Sequence, residues 1–319
     1  MIGLSLPEID RVAVRHAISL SLATGKSFRL AGGFRFAREN PAFAGLLADW
    51  ENALGTMSAG SFLADDDDLL FRPAALRHGA YALETGAFSS ALELVLLLLP
   101  PLTRLKYRTA LSVRGVTHSD LSYTTDFVNL TLFDLLERMG FYLHLSLKRF
   151  GFYGSGGGLV EARAYPGETG AGLPEVEFRE VSLRGARVYI AKMPTDVALN
   201  QREMLAGLTG LPEKAIGIVE VLDADGPGNF IQAYAECDGV VRVLQAVSPV
   251  YGVDGEYVFN EGRAGETVRS IASLCERLRG DRALPSDATR EILPYAVLSG
   301  SIMPPGAGET AKLLISAFG

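Results

Sequence analysis

The segment GFYGSGGG, residues 151–158, lies between two stretches with the apolar pattern of β-strands. One predicted strand ends near Lys148 and the other starts at Leu159, so the glycines join strand to strand. They do not lead from a strand into a helix, as the glycines of a dinucleotide-binding loop do. Glycine permits positive φ and close approach, so the segment predicts either a tight hairpin at a sheet edge or a loop that contacts a ligand.

Upstream of this loop, predicted strands and helices alternate. The strands fall at residues 2–6, 28–30, 69–72, 81–84, 105–113 and 141–148, and the helices at residues 7–24, 41–57, 89–99 and 123–139. This order predicts helices that cover sheets, in an internal repeat of roughly 80 residues. The apolar run 94–99 is too short to cross a bilayer and predicts a buried helix end.

Downstream of the loop, the pattern changes. Strands are predicted at residues 187–192, 216–222, 230–236 and 240–246, a helix at 197–207, and further helices at 265–278 and 287–298. We interpret residues 181–260 as a small inserted α/β domain. Residues 1–180 and 261–319 would then form one large, discontinuous domain, and the fold class is α/β (α+β).

Composition limits the classes of function. The 319 residues suffice for about two domains. The net charge of −7 disfavours a protein that grips nucleic acid by bulk electrostatics, so a polyanion needs a local basic patch, and no DNA partner is expected. Cys237 and Cys275 form neither a disulfide framework nor a zinc motif. With no signal peptide or membrane span recognisable in the sequence, we expect a cytoplasmic protein.

Several polar residues could bind a ligand. Arg29, Arg35 and Arg38 follow the second strand, where guanidinium groups suit phosphate, although they could also be simply solvated. The acidic run 65–68 is expected to be a solvated loop. Glu8 opens a predicted helix, where the helix dipole favours a carboxylate, but it could also hold a divalent ion. None of the four histidines has a partner at catalytic or metal-binding spacing.

Six segments occur in the order found in one known family. They are RHAISLS (15–21), FRFAR (34–38) followed by Pro41, LFRP (70–73), TDF (125–127), GFY with GGG (151–158) and GPGN (226–229). Together they resemble the RNA 3′-terminal phosphate cyclase family over nearly the whole chain. The last two segments are the most specific.

The resemblance implies a fold and a reaction. The family's large domain consists of repeated βαβαββ units, with a smaller α/β domain inserted between its second and third units. Its enzymes use ATP to adenylate a histidine and transfer AMP to an RNA 3′-phosphate, and the neighbouring 2′-hydroxyl then closes a 2′,3′-cyclic phosphate. ATP, Mg²⁺ and RNA with a 3′-phosphate end are therefore the expected cofactors and partner if this activity is retained.

The resemblance also assigns roles to residues of this chain. Lys312 aligns on the nucleophilic histidine, and Glu8 and Glu291 are candidate metal ligands. Arg15, Arg35 and Arg38 are the candidate residues for binding phosphate or RNA. The nucleotide-site loop comprises Gly151, Phe152, Tyr153, Gly156, Gly157 and Gly158.

The chain departs from the family pattern at positions that carry the chemistry. The family's Glu-Gly-Gly-Gly-Gln becomes EIDRV at residues 8–12, and its Asp-Gln becomes Arg290-Glu291. A Gln-His pair falls on Leu46 and Leu47, and a further Gln falls on Leu96. Three functions stay open: a cyclase with Lys312 as nucleophile, a non-catalytic relative that binds RNA or a protein partner in RNA processing, and an altered small-molecule site.

Overall fold

The computed structural model describes residues 1–120, 122–167, 181–237, 239–248, 251–253, 256–258, 261–278, 286–301 and 308–319. Its first unit consists of β1 (Ile2–Leu4), α1 (Arg11–Thr24), β2 (Phe28–Leu30), α2 (Gly33–Glu39), α3 (Pro41–Thr56), β3 (Gly60–Asp65) and β4 (Asp68–Pro73). The sheet order is β1-β2-β4-β3. Only β1 and β2 run parallel, while β4 is antiparallel to both of its neighbours. This is a βαβαββ unit.

The second unit repeats this arrangement. Its elements are β5 (Ala80–Glu84), α4 (Ala91–Leu102), β6 (Thr109–Gly115), α5 (Thr125–Phe127), a π-helical turn (Val128–Leu132), α6 (Phe133–Arg138), β7 (Leu143–Arg149) and β8 (Gly158–Ala164). The sheet order is β5-β6-β8-β7, again with one parallel pair at the start. Because β1 begins at residue 2 and β5 at residue 80, the predicted repeat length is confirmed.

A third sheet follows, with a different order. It contains β9 (Val181–Ala191), α7 (Thr195–Thr209), a 3₁₀ turn (Glu213–Ala215), β10 (Ile216–Val221), β11 (Gly228–Cys237) and β12 (Val240–Ser248). The order is β10-β9-β11-β12, and only β9 and β10 are parallel. A short pair, β13 (Tyr251–Val253) and β14 (Glu256–Val258), comes next. The mixed α/β class predicted from the sequence is confirmed.

The last three helices do not all pack in the same place: one packs on the third sheet and two pack on the repeats. Helix α8 (Glu261–Leu278) packs Val268, Ile271 and Cys275 into the apolar cluster of the third sheet, although the sequence division assigns it to the large domain. Helices α9 (Ser286–Ser299) and α10 (Glu309–Phe318) instead join the core of the two repeats. Residues 180 and 260, where the predicted boundaries fall, lie outside the described residues. The domain boundaries therefore stay a prediction.

The first helix begins later than the sequence predicts. Asp10 caps α1, because its Oδ1 accepts hydrogen bonds from the backbone N–H groups of Val12 at 2.8 Å and Ala13 at 2.9 Å. An N-cap carboxylate satisfies backbone donors that a helix leaves free. Pro7 is therefore not in the first turn, and Glu8 lies in the loop ahead of the helix.

The core forms around α4. Every residue of this helix from Ala91 to Leu102 is buried, which confirms the predicted burial of the run 94–99. Trp50 of α3 is also fully buried, and its ring lies 6.1 Å from that of Phe43, edge to face. No helix in the described ranges is both long enough and apolar enough to cross a bilayer.

Candidate functional site

A buried ionic cluster lies where α1, α4 and α9 meet. Arg15 is 0% exposed, and its Nη1 donates to Oε2 of Glu93 at 2.6 Å. Its Nη2 donates to both carboxylate oxygens of Glu291. His16 places Nε2 3.8 Å from Oε2 of Glu291. The sequence identifies Arg15 and Glu291 as site residues, and the structure brings them into direct contact.

The two carboxylates of this cluster ionise differently. Burial raises the pKa of the Glu93 carboxyl above its ordinary value, although Arg15 and Arg11 oppose the shift. Burial acts in the same direction on Glu291, but the attraction of Arg15, with a contribution from His16, prevails and lowers its pKa to about 2. Glu291 is thus held as an ionised partner of Arg15.

An open cleft of about 600 Å³ lies beside the cluster, between the starts of α1 and α9 and strand β12. Charged residues of both signs line it: Glu8, Asp10, Arg11, Asp120, Asp287 and Arg290. Arg290 donates to Asp10 across this cleft. Among the described residues there is no group of three His, Cys, Asp or Glu side chains that could hold a metal ion. Glu8 and Glu291, the two metal ligands suggested by the sequence, are therefore not joined by a third ligand in this part of the chain.

The arginines of α2 face the acidic run, which is not simply a solvated loop. Arg35 lies 3.6 Å from Asp67, and Arg38 donates to the same carboxylate. The run forms the turn between β3 and β4, and the backbone carbonyl of Asp67 accepts hydrogen bonds from the N–H groups of Phe34 and Arg35. The complementary charges of residues 29–38 and 65–68 are the sequence signal that could have indicated this pairing.

Lys312 lies apart from these charges. It is exposed near the start of α10, a helix that packs on α1 and α9. Among the described residues, none forms an ion pair or hydrogen bond with its side-chain amine. No activating group therefore lies next to Lys312 among the residues that the structure describes.

The glycine-rich loop is a hairpin connection between β7 and β8, as the sequence predicts. Its ends are packed against the end of β6 and the residues that follow it, because Gly151 donates to Oγ1 of Thr117 at 2.9 Å. A Cβ atom at Gly151 would lie 2.4 Å from the backbone nitrogen of Gly158 and 2.5 Å from the carbonyl oxygen of Gly115. Only glycine fits at this crossing of backbones.

The same loop contacts the segment 225–229 of the third sheet. The Phe152 ring covers Gly228 so closely that a Cβ atom there would lie 2.2 Å from it. Arg149, at the end of β7, donates to Asp225 at 2.6 Å and to the carbonyl oxygen of Asp223 at 2.9 Å. We call this contact between residues 149–158 and 223–229 the joint. The two most specific sequence motifs thus bind each other.

An aromatic cluster around His118 borders the joint, which contributes Phe150 to it. The His118 ring lies 4.8 Å from that of Phe150 and 4.4 Å from that of Phe230. Burial lowers the pKa of His118 to about 3, so its imidazole is neutral at ordinary pH. Sequence reasoning did not place this histidine, because its ring partners, Phe150 and Phe230, lie far apart in the chain.

A family model described as RNA 3′-terminal phosphate cyclase matches residues 11–308. The chain belongs to this family. An RNA 3′-terminal phosphate cyclase of Koribacter versatilis is 29% identical over 281 residues, which cover 85% of this chain and 78% of the relative. One of Salmonella typhimurium is 28% identical over 280 residues, covering 85% and 80%. One of Pseudomonas fluorescens is 32% identical over 228 residues, covering 68% and 64%.

The cyclase resemblance drawn from the six segments is thereby confirmed. At three positions where that resemblance expects polar side chains, this cyclase-family chain has Leu46, Leu47 and Leu96, and all three are buried in the main core. The structure brings Arg15 and Glu291 together but leaves Lys312 exposed and pairs Arg35 and Arg38 with an acidic turn.

Proposed function

We propose that this chain is a cyclase-like protein that binds RNA ends carrying a 3′-phosphate, and that ATP-dependent cyclisation is weakened or lost in it. The observation that carries this proposal is that Arg15, a predicted phosphate-binding residue, is buried and already paired with two carboxylates. Arg15 is fully buried between Glu93 and Glu291, and both of its terminal nitrogens donate to these protein carboxylates. A phosphate would have to displace a buried carboxylate, which is costly because the displaced charge would lose its partner.

The candidate nucleophile supports the same conclusion. A lysine nucleophile is activated by a desolvated pocket or by a neighbouring cation. Lys312 is exposed, and no described residue makes an ion pair with it. Its surroundings therefore provide neither form of activation.

The proposed metal ligands do not fit a bound Mg²⁺ ion well. Magnesium requires near-octahedral oxygen ligation through free carboxylates and waters. Both oxygens of Glu291 accept hydrogen bonds from Arg15, and Glu8 lies in the exposed loop before α1. Glu8 and Glu291 therefore do not together form a magnesium site.

The RNA-binding part of the proposal is supported by two arginines of α2. The side chains of Arg35 and Arg38 are 58% and 54% exposed, and both share the carboxylate of Asp67. Exposed ion pairs contribute little free energy, so a phosphate group can compete with Asp67 for these guanidinium groups. These two exposed guanidinium groups are the positive charges on which RNA binding would depend.

Incubation with ATP labelled at the α-phosphate and Mg²⁺ is expected to leave no covalent label on the chain. The reason is that no residue in the described part of the chain activates Lys312. Acid-labile, base-stable radioactivity on the protein is the readout, and conversion of an RNA 3′-phosphate to the cyclic form is measured in parallel. The Koribacter versatilis relative serves as the positive control for both assays. Label on the chain that disappears in Lys312→Ala would contradict the loss of catalysis.

Asp67→Asn is expected to strengthen binding of a single-stranded RNA with a 3′-phosphate, because it frees two guanidinium groups. Each additional phosphate that the protein neutralises should steepen the dependence of log K on log salt by about 0.7. Arg38→Ala should have the opposite effect. Fluorescence anisotropy over a salt series measures both, with the same RNA ending in a 3′-hydroxyl as the reference ligand.

Asp66→Asn is the matched control for this experiment. It changes the net charge equally and lies in the same turn, but Asp66 makes no ion pair with Arg35 or Arg38. Binding that responds equally to Asp66→Asn and Asp67→Asn would show that only the overall charge matters. That result, or equal affinity for the two RNA ends, would rule out end recognition by α2.

A further inference from the structure

An exposed basic surface lies beyond the C-terminal end of α4. It is formed by two loops, residues 74–79 before β5 and residues 103–108 between α4 and β6. We call its six exposed polar and aromatic residues the basic patch: Arg77, His78, Arg104, Lys106, Tyr107 and Arg108.

The two loops of the basic patch are held together. The backbone N–H of Ala110 donates to the carbonyl oxygen of Gly79 at 2.9 Å. The ring of His78 lies 4.8 Å from that of Tyr107. The fold therefore collects cations from two separate segments on one surface.

The cations of the basic patch have no carboxylate partners. No acidic residue occurs between Asp68 and Glu84, or between Glu93 and Asp120. In the described part of the chain, none of the four Lys and Arg side chains of the patch forms an ion pair. A chain of net charge −7 needs such a local concentration of positive charge if it is to bind a polyanion.

The dipole of α4 does not explain this arrangement. A helix C-terminus favours cations, but the effect falls off within the last turn. Helix α4 ends at Leu102, so Lys106 and Arg108 lie beyond that range, and Arg77 belongs to another segment.

The aromatic ring in the patch indicates which polyanion fits. Tyr107 is 53% exposed, and Nζ of Lys106 lies 5.5 Å from the centre of its ring. An exposed ring among cations is the arrangement on which single-stranded nucleic acids bind, with a base stacked on the ring and phosphates on the cations. Bases inside a duplex are already stacked on each other, so the ring favours a single strand.

A membrane surface fits the patch less well. Leu76 and Leu105 of the same two loops pack against the main core, which leaves Tyr107 as the only exposed large apolar side chain of these loops. Binding at a membrane interface depends on a larger buried apolar area.

We propose that the basic patch binds single-stranded RNA, with one base stacked on Tyr107 and neighbouring phosphates on Lys106 and Arg108. This inference rests on the proposed function in that both take RNA as the ligand. It adds a surface that contacts the RNA whatever the chemistry of its 3′ end. The patch is separate from the Arg15 cluster, because Glu93 and Leu102 are about 14 Å apart along α4.

Fluorescence anisotropy with a single-stranded RNA of mixed sequence tests the inference. Lys106→Ala combined with Arg108→Ala should weaken binding and reduce the slope of log K against log salt by about 1.4, which is 0.7 for each lost phosphate contact. Tyr107→Ala should weaken binding at least about fivefold with little change in that slope, because it removes a stacked base. Tyr107→Phe keeps the ring and should retain the affinity.

Lys214→Ala combined with Arg277→Ala is the matched control. Both residues are exposed cations outside the patch, and neither forms an ion pair with another described residue. This double variant should bind the RNA almost as the parent does. An equal loss in the control, or full affinity in Tyr107→Ala, would overturn the proposal.

Comparing RNAs that end in a 3′-phosphate and in a 3′-hydroxyl separates the patch from α2. The patch variants should weaken the binding of both RNAs by the same factor. Discrimination between the two ends that the patch variants leave intact, at unchanged affinity, would overturn the patch alone. Loss of affinity in the patch variants without any discrimination would overturn end recognition alone. No RNA binding by the parent would overturn both, and co-sedimentation with phosphatidylserine vesicles would then assign the patch to a membrane surface.

Discussion

Arg15→Met is expected to lower the free energy of unfolding by about 3–5 kcal/mol, the usual cost of breaking a buried ion pair by removing one partner. The substitution leaves Glu93 and Glu291 buried with no guanidinium between them. Urea denaturation followed by circular dichroism measures the change, compared with the unsubstituted chain under the same conditions.

Arg290→Met is the control for this experiment. Arg290 also pairs with a carboxylate at the start of α1, but its side chain is 44% exposed and that of Asp10 is 35% exposed. Exposed pairs contribute about 0–1 kcal/mol, so the loss should be small. Replacing all three cluster residues, Arg15→Met with Glu93→Leu and Glu291→Leu, should recover most of the stability, because apolar groups can replace a buried ionic triad. An Arg15→Met protein as stable as Arg290→Met would show that the cluster is not desolvated.

Gly151→Ala is expected to destabilise the chain by about 3 kcal/mol, at the upper end of the cost of overpacking. The added Cβ would meet the backbone of Gly158 at 2.4 Å and of Gly115 at 2.5 Å, and backbone atoms of a paired sheet cannot move aside as a flexible side chain can. Thermal unfolding monitored by circular dichroism provides the measurement.

Gly207→Ala makes the same chemical change where nothing lies within 4 Å of the new atom. Gly207 is exposed within α7, and alanine is favoured over glycine inside a helix by up to about 1 kcal/mol. This variant should therefore be slightly more stable than the parent. A Gly151→Ala protein that unfolds at the parent's temperature would mean that the loop is not held against β6.

The local pattern of the sequence was enough to predict the repeats. Alternating strands and helices, and their spacing, indicated a repeat of roughly 80 residues, and the family resemblance implied its βαβαββ form. The strand β3 was missed, since its residues 60–65 merge into the acidic run without a clear apolar alternation. The start of α1 was misplaced because the cap at Asp10 outweighs the preference of Pro7 for a first turn.

The candidate site depended on contacts that no local pattern contains. Arg15 and Glu291 are separated by 276 positions and meet only because α9 returns to pack on α1. The pairing of Arg38 with Asp67 likewise joins two segments that the sequence treats separately. The family resemblance suggested Arg15, Arg38 and Glu291 as site residues, but only the fold determines which charges neutralise each other.

The glycine motifs were predicted as a family signature, and the structure gives them a packing role. Gly151 lies at a backbone crossing, and Gly228 lies under Phe152 in the joint. These constraints act on the connection between the second repeat and the third sheet. They would persist in a family member whether or not it turns over a substrate, so the two motifs alone do not indicate activity.

The position of Trp50 determines how the unfolding of this chain can be observed. It is the only tryptophan and is fully buried in the first repeat, against Phe43. Its emission therefore reports solvent entry into that repeat alone, while circular dichroism averages over all three sheets. A transition seen in ellipticity but not in tryptophan emission would identify melting of a part of the chain outside the first repeat, without any added label.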